Sequence, residues 1–236
     1  MSHATDVATQ HRHLRIPVPG GVLGGDLVLP ELAVGVVVFA HGSGSSRMSP
    51  RNQWVARQLE AAHLGTLLFD LLTSAEEAVD ARTGTLRFNV QFLAERLVQT
   101  TDLVRGELAP DLRIGYFGAS TGAAAALIAA AERPTAVHAI VSRGGRPDLA
   151  GSALSSVRAP TLLIVGGADR EVLALNTAAL SQLTCPKALQ VVPRATHLFE
   201  EPGALEEVAR LAGGWFTRHL PPPPCPPPPC DHLRDA

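Results

Sequence analysis

Three side chains in this sequence have the types needed for covalent acyl transfer, and each stands where a strand is expected to end. The first is Ser120, in Gly118-Ala119-Ser120-Thr121-Gly122. A serine hydroxyl attacks a carbonyl carbon only if it projects from a sharp turn and a neighbouring base takes its proton. Glycines two residues before and after Ser120 remove side chains that would crowd such a turn. A helix starting there would point its positive end at the site. Taken alone, the five-residue pattern also suits an ordinary tight turn between a strand and a helix, so its partners matter.

Two partners are present. Asp169 closes the run TLLIVGGAD, and His197 follows VVPRAT after a short loop. A histidine can take the serine proton and later return it to the leaving group, while an aspartate fixes the imidazole tautomer and stabilises the imidazolium. Asp169 would equally suit the N-cap of the helix that follows it, and His197 would equally suit a loop. The chain order Ser, Asp, His is the one expected when all three stand at the carboxyl ends of parallel strands. His63, His138 and His219 fall at the ends of helices or strands, and His11 and His13 precede the first strand. These five are read as structural or solvated.

Charge that builds on the carbonyl oxygen needs N–H donors. The segment Phe39-Ala-His41-Gly42-Ser43-Gly44 follows a strand, and its glycines allow a backbone amide to turn toward the reacting group. The expected oxyanion donors are the amides of Ser43 and Thr121. His41 is read as holding this loop in place. Arg47 and Arg143 also fall near strand ends. Each has two readings: a cation for a carboxylate or phosphate on the substrate, or a member of an ion pair that ties loops together, for instance with Asp70, Asp148 or Glu76.

The elements that must position these residues are legible as alternating runs. Strands are expected over 14–18 and 26–29 around a turn at Gly20-Gly21, then over 35–40, 65–70, 112–117, 137–142, 161–165 and 188–192. Several of these read as near-continuous apolar segments, as strands buried on both faces do. Helices are expected over 52–62, 90–107, 121–132, 173–182 and 204–219. This alternation implies βαβ crossovers and a mostly parallel sheet, with an antiparallel start where the first two strands have no helix between them.

Composition narrows the class. The chain has 236 residues, 46% hydrophobic and 18% charged, with a formal net charge of -2. That suits one large domain and gives no basic surplus for nucleic acid. No apolar run is long enough to suggest a membrane span, and no N-terminal secretory pattern is present, so a cytoplasmic location is expected. Cys185, Cys225 and Cys230 do not suggest a disulfide framework. No metal or phosphate-loop motif appears, so neither metal nor cofactor is implied. The expected organisation is a flexible N-terminus over 1–12, a folded domain over 13–220 and a proline-rich tail over 221–236.

These pieces together resemble the dienelactone-hydrolase-like branch of the α/β-hydrolase superfamily. The resemblance rests on HGSGSSRMSPRN (41–52), LLFDLLT (67–73), GYFGASTGAAAAL (115–127), SRGGRPDLAG (142–151), TLLIVGGADREVLALN (161–176) and ATHLFEEPGALEEVA (195–209), and it spans about residue 14 to 220. It implies an α/β-hydrolase fold, a mostly parallel sheet of about eight strands flanked by helices, with the site assignments given above. Dienelactone hydrolases carry a cysteine nucleophile. Ser120 in its place favours ordinary ester or thioester hydrolysis through an acyl-enzyme. Only residues 143–159 separate the sixth strand from the seventh, so no lid domain is expected there. The expected partner is a small-molecule ester, with no nucleic acid and no membrane. Two further readings use the same residues: an acyltransferase or perhydrolase, and a ligand-binding protein without turnover.

Overall fold

The computed structural model describes residues 9–221. They form one eight-stranded sheet in the order β1-β2-β4-β3-β5-β6-β7-β8. The strands are β1 (Gln10–Val18), β2 (Gly21–Leu29), β3 (Val36–Ala40), β4 (Gly65–Phe69), β5 (Ile114–Ala119), β6 (Val137–Arg143), β7 (Thr161–Gly166) and β8 (Lys187–Val192). β1 and β2 pair antiparallel, β2 joins β4 antiparallel, and every later pairing is parallel. This is the mostly parallel α/β-hydrolase sheet that the sequence implies. β1 opens at Gln10, ahead of the expected domain start at residue 13, because its register with β2 continues out to the pair Gln10–Leu29. The proline-rich tail beyond Pro221, with Cys225 and Cys230, lies outside the described residues, as do residues 1–8.

Helices cover both faces of the sheet. They are α1 (Pro50–Glu60), α2 (Ser74–Thr83), α3 (Val90–Leu103), α4 (Thr121–Glu132), α5 (Arg170–Gln182) and α6 (Ala204–His219). One core layer packs α3, α4 and α5 against the sheet through residues such as Leu97, Leu127 and Ala179. The other packs α1 and α6 through Val55, Leu59, Val208 and Phe216. Alternation along β6 sends Ile140 to the first layer and Val141 to the second. The inner strands β3, β4, β5 and β7 are buried along their whole length, which explains their continuous apolar sequence.

The Ala-rich α4 is buried from Thr121 to Ala130. Its small side chains let it lie close on the sheet behind β5. The two glycines around Ser120 make that approach feasible. A methyl group on Gly118 would stand 2.5 Å from the Cα of Ala123, and one on Gly122 would stand 2.2 Å from the carbonyl oxygen of Ala40. They therefore serve the packing of the helix against β5 and β3 as well as the turn itself.

The sequence reading placed no helix over 74–83. α2 is mostly exposed and buries only Asp80, so it lacks the apolar stripe that marks a packed helix. Its signal is at its ends. Thr73 and Glu76 form a capping box, and Gly84 closes the helix in the left-handed conformation at φ 66°. Glu76 also pairs with the buried Arg96 of α3 at 2.6 Å, which ties α2 to the layer beneath. α3 ends at Leu103 and continues as a wider π turn over Val104–Leu108, near the expected helix end at 107. Between β6 and β7 there are only short 3-10 turns over Pro147–Ser156, and no lid.

Candidate active site

The candidate nucleophile stands between β5 and α4 with φ 49° and ψ −123°. This is a strained conformation for a residue with a side chain, of the kind that concentrates at functional sites. Its backbone is pinned from both sides: the N–H of Ser120 donates to the carbonyl of Arg143 at 3.4 Å, and its carbonyl accepts from the N–H of Arg146 at 3.1 Å. The strain is thus held by the loop that follows β6.

That loop also lies against the candidate base, which the loop after β8 carries. A methyl group built on Gly144 would lie 3.1 Å from the carbonyl oxygen of His197 and 3.7 Å from its Nδ1. Gly144, at φ 51°, therefore gives His197 room beside the serine turn. The Nδ1 of His197 lies 2.8 Å from Oδ2 of Asp169. The other Asp169 oxygen, Oδ1, accepts the Val172 N–H at 3.4 Å as the N-cap of α5. Asp169 thus contacts His197 and caps α5 at once. The His197 side chain is 40% exposed and that of Asp169 16%. In this structure Ser120 Oγ makes no hydrogen bond to His197. Such contacts often tighten only with substrate bound.

The loop after β3 sits against the serine. A methyl on Gly42 would stand 3.0 Å from Ser120 Cβ and 3.2 Å from the Ala119 carbonyl oxygen. The Ser43 N–H donates to Oγ1 of Thr121 at 3.0 Å. Of the two expected oxyanion donors, the Ser43 amide is therefore held at rest by the side chain of the residue carrying the other. Thr121 opens α4, where first-turn amides have no partner inside the helix. His41 braces the loop. Its Nδ1–H donates to the Gly42 carbonyl at 3.0 Å, and its Nε2 accepts the Leu71 N–H at 3.2 Å. Burial, the largest influence, holds the imidazole below its ordinary pKa, so it is the neutral ring that makes this pair of bonds.

The two arginines part company. Arg47 is taken up in ion pairs. Its guanidinium pairs with Asp70 and reaches Asp26 at 3.2 Å, while its backbone N–H donates to Asp70 Oδ1 at 2.9 Å. Of its two readings, the loop-tying ion pair is the one seen, because β2 and β4 bring both carboxylates to the loop after β3. Arg143 is the opposite case. Only 8% exposed, it makes no ion pair and no side-chain hydrogen bond among the described residues.

A cleft of about 850 Å³ runs beside the loop 41–51 and is closed on its far side by Ser74, Glu77 and Ala78 of α2. Arg87 also lines it, fixed by the buried Asp80 at 2.5 Å. The sequence reading missed this wall together with α2. The capping box was the signal that marked it.

The sheet order and the strained serine turn after β5 define an α/β hydrolase. No family model matches the chain. A dienelactone hydrolase from Anabaena variabilis is 58% identical in its crystal structure, over 90% of this chain and 99% of that one, with a TM-score of 0.87. The chain belongs to the dienelactone-hydrolase-like branch of the α/β-hydrolase superfamily. More distant structures share the fold: a lidless α/β serine hydrolase from Xanthomonas campestris at 21% identity, covering 92% of this chain and 98% of that one with a TM-score of 0.72, and Est1E from Butyrivibrio proteoclasticus at 15%, covering 87% and 98% with a TM-score of 0.73. A Mycobacterium tuberculosis protein provisionally named a phosphoribosyl transferase is 56% identical over 207 residues. These make up 86% of this chain but 45% of that protein, so the chain spans about half the length of the curated relative it matches. No helix among the described residues is long and apolar enough to cross a membrane.

Proposed function

We propose that the protein is a serine hydrolase of small carboxylic esters or thioesters, with Ser120 as nucleophile, His197 as base and Asp169 as its acid. The observation that carries this reading is the 2.8 Å contact between His197 Nδ1 and Asp169 Oδ2 beside the strained backbone of Ser120. With Nδ1 donating to the aspartate, Nε2 is left as the lone-pair nitrogen that can accept the serine proton.

The steps follow from the arrangement. Ser120 Oγ bonds to the carbonyl carbon while its proton passes to His197 Nε2. The carbonyl oxygen, now negative, takes hydrogen bonds from the Ser43 and Thr121 amides, and the Ser43 N–H exchanges the Thr121 hydroxyl for it. The tetrahedral species collapses, the leaving alcohol or thiol takes the proton from His197, and the acyl group remains on Ser120. Water then repeats the sequence, giving the acid and free enzyme. The half-exposed His197 and the lack of a lid give water ready access. This supports hydrolysis over transfer to another acceptor.

The test uses a serine-reactive fluorophosphonate and p-nitrophenyl esters of increasing acyl length. Labelling at Ser120, with ester turnover abolished in Ser120→Ala, is the expected result. A folded wild type that neither labels nor turns over any ester sinks the reading in favour of ligand binding alone. Faster transfer to an added alcohol or to peroxide than to water identifies an acyltransferase or perhydrolase.

A further inference from the structure

The buried face of α5 has one polar member. Val172, Asn176 and Ala179 recur at the spacing of a helical stripe, and all three are buried. Asn176 is 0% exposed, at a position where the stripe calls for an apolar side chain. A fold keeps a buried amide only if its N–H groups find acceptors. Asn176 Nδ2 finds two. One is the carbonyl of Val172, four residues back in the same helix, at 2.8 Å. The other is the carbonyl of Gly145, in the loop after β6, at 2.9 Å.

Gly145 has no room for a side chain. A methyl group built on it would lie 2.0 Å from Oγ of the buried Ser142 and 2.6 Å from Cβ of Ala123, in the first turn of α4. At this depth its carbonyl needs a donor from the protein. Asn176 makes the only side-chain hydrogen bond to the backbone of residues 143–146 among the described residues.

That bond connects two parts of the site. Asp169 and His197 belong to α5 and its neighbour loop: Asp169 caps the helix through the Val172 N–H, and the carbonyl of the same Val172 accepts from Asn176. Ser120 belongs to the other part, held through its own backbone by Arg143 and Arg146. The Gly145 carbonyl and the Arg146 N–H are opposite ends of one planar peptide group. Asn176 holds its oxygen at 2.9 Å, and its N–H holds the Ser120 carbonyl at 3.1 Å. The Gly144 N–H, bonded to Ile164 of β7 at 2.8 Å, fixes where the loop begins. Asn176 fixes the peptide that reaches the serine.

We infer that Asn176 is a positioning residue: through the Gly145–Arg146 peptide it sets the strained serine turn at its place beside the His197–Asp169 pair. This rests on the hydrolase reading above. Asn176 is fully buried and does not line the cleft, so its effect falls on turnover and not on substrate binding. A nucleophile displaced by a fraction of an ångström from its base loses rate steeply.

Two variants separate this tether from the packing of the helix. Asn176→Leu keeps nearly the same volume and loses both bonds. Asn176→Thr keeps a hydroxyl that bonds the carbonyl four residues back, as Thr177 bonds Leu173 at 2.8 Å in the same helix, and loses only the reach to Gly145. Leu97→Ala, in the core beneath α3, is the control for lost stability alone. Each full-length variant is confirmed folded by near-UV circular dichroism. Each is then assayed well below its melting temperature with p-nitrophenyl butyrate and with the fluorophosphonate probe. Both Asn176 variants are expected to lose about 10- to 100-fold in kcat, with KM within about threefold of wild type. Labelling of Ser120 should slow by a similar factor. Leu97→Ala should melt lower and keep a kcat near that of wild type.

Asn176→Thr with wild-type kcat and labelling overturns the inference, because the bond to Gly145 is then idle. So does a loss of kcat in Leu97→Ala equal to that of the Asn176 variants, because the effect is then one of stability. If Asn176→Leu fails to fold, Asn176→Thr alone decides. A wild type that neither labels nor turns over esters sinks the hydrolase reading and this inference with it, whereas an active wild type matched by Asn176→Thr sinks this inference only.

Discussion

Asp169 divides its carboxylate between two partners: Oδ2 meets Nδ1 of His197 at 2.8 Å, while Oδ1 caps α5 through the Val172 N–H at 3.4 Å. The cap fixes the carboxylate plane, and the carboxylate fixes the ring. Replacing Asp169 with asparagine keeps an acceptor for the cap but can place an N–H donor against Nδ1, which selects the wrong tautomer. Asp169→Asn is therefore expected to fold with a stability loss of at most about 1 kcal/mol and to lose about 10⁴-fold in kcat. Thermal melts and ester kinetics on one preparation separate the two effects, and equal small losses in both would leave Asp169 only a cap.

At Ser120 strain and chemistry can be separated by two substitutions. Ser120→Ala removes the hydroxyl and keeps the strained φ of 49°, so activity should fall by about 10⁴- to 10⁶-fold with little change in stability. Ser120→Gly should be equally inactive yet more stable than Ser120→Ala by about 1 kcal/mol or more, because glycine tolerates this backbone. Denaturant titration of both variants decides it. An alanine variant as stable as the glycine one would mean that the turn holds no strain.

The glycines of the site divide by what lies beyond them. Gly122→Ala drives a methyl into the backbone carbonyls of Ala40 and His41, at 2.2 and 2.4 Å, and neither can move without shifting β3. A stability loss of about 3 kcal/mol or more is expected. Gly42→Ala meets Ser120 Cβ at 3.0 Å instead, so it should show mainly as lost turnover. Chemical denaturation paired with kinetics tests this contrast, and the reverse ranking would contradict it.

Thr121 carries one expected oxyanion amide and holds the other through its hydroxyl, 3.0 Å from the Ser43 N–H. Thr121→Val keeps both amides but leaves the Ser43 N–H without its resting partner, which should cost about 1–3 kcal/mol of stability. Thr121→Ser restores the hydroxyl and should recover most of that loss. If valine and serine variants unfold at the same denaturant concentration, the hydroxyl is not what holds the loop.

His41 gives the site a pH dependence with a defined sign. Burial depresses its folded-state pKa below the ordinary 6.5, so the unfolded chain binds a proton that the folded chain refuses. This contribution is fully present above about pH 6.5 and is lost as pH falls through the depressed folded value. Protonation also removes the Nε2 acceptor for the Leu71 N–H, which frees the oxyanion loop. The melting temperature of wild type should therefore fall below pH 6.5 more steeply than that of His41→Gln, as melts across pH 5 to 8 would show.

Much of this protein is legible from its residues alone. The inner strands β3, β4, β5 and β7 have the clearest signal, since burial on both faces demands unbroken apolar runs, and Ser120, Asp169 and His197 announce themselves by falling near the ends of strand-like runs. Periodicity and end signals are local, so a single chain carries them. The contrast lies in what the strand order brings together. Arg47 and Arg143 look alike in sequence, each near the end of an expected strand. Because β2 and β4 bring Asp26 and Asp70 to Arg47, that cation is neutralised. Because the end of β6 brings Arg143 to Phe199 and to the cation Arg51, it is buried with no ion pair among the described residues. The same applies to Ser43 and Thr121, 78 residues apart in the chain and joined by the β3–β5 pairing. Local sequence determined which residues could act, and tertiary structure decided which charges are paired and which are buried alone. Electrostatic partners are chosen across the sheet, where no spacing along the chain records them.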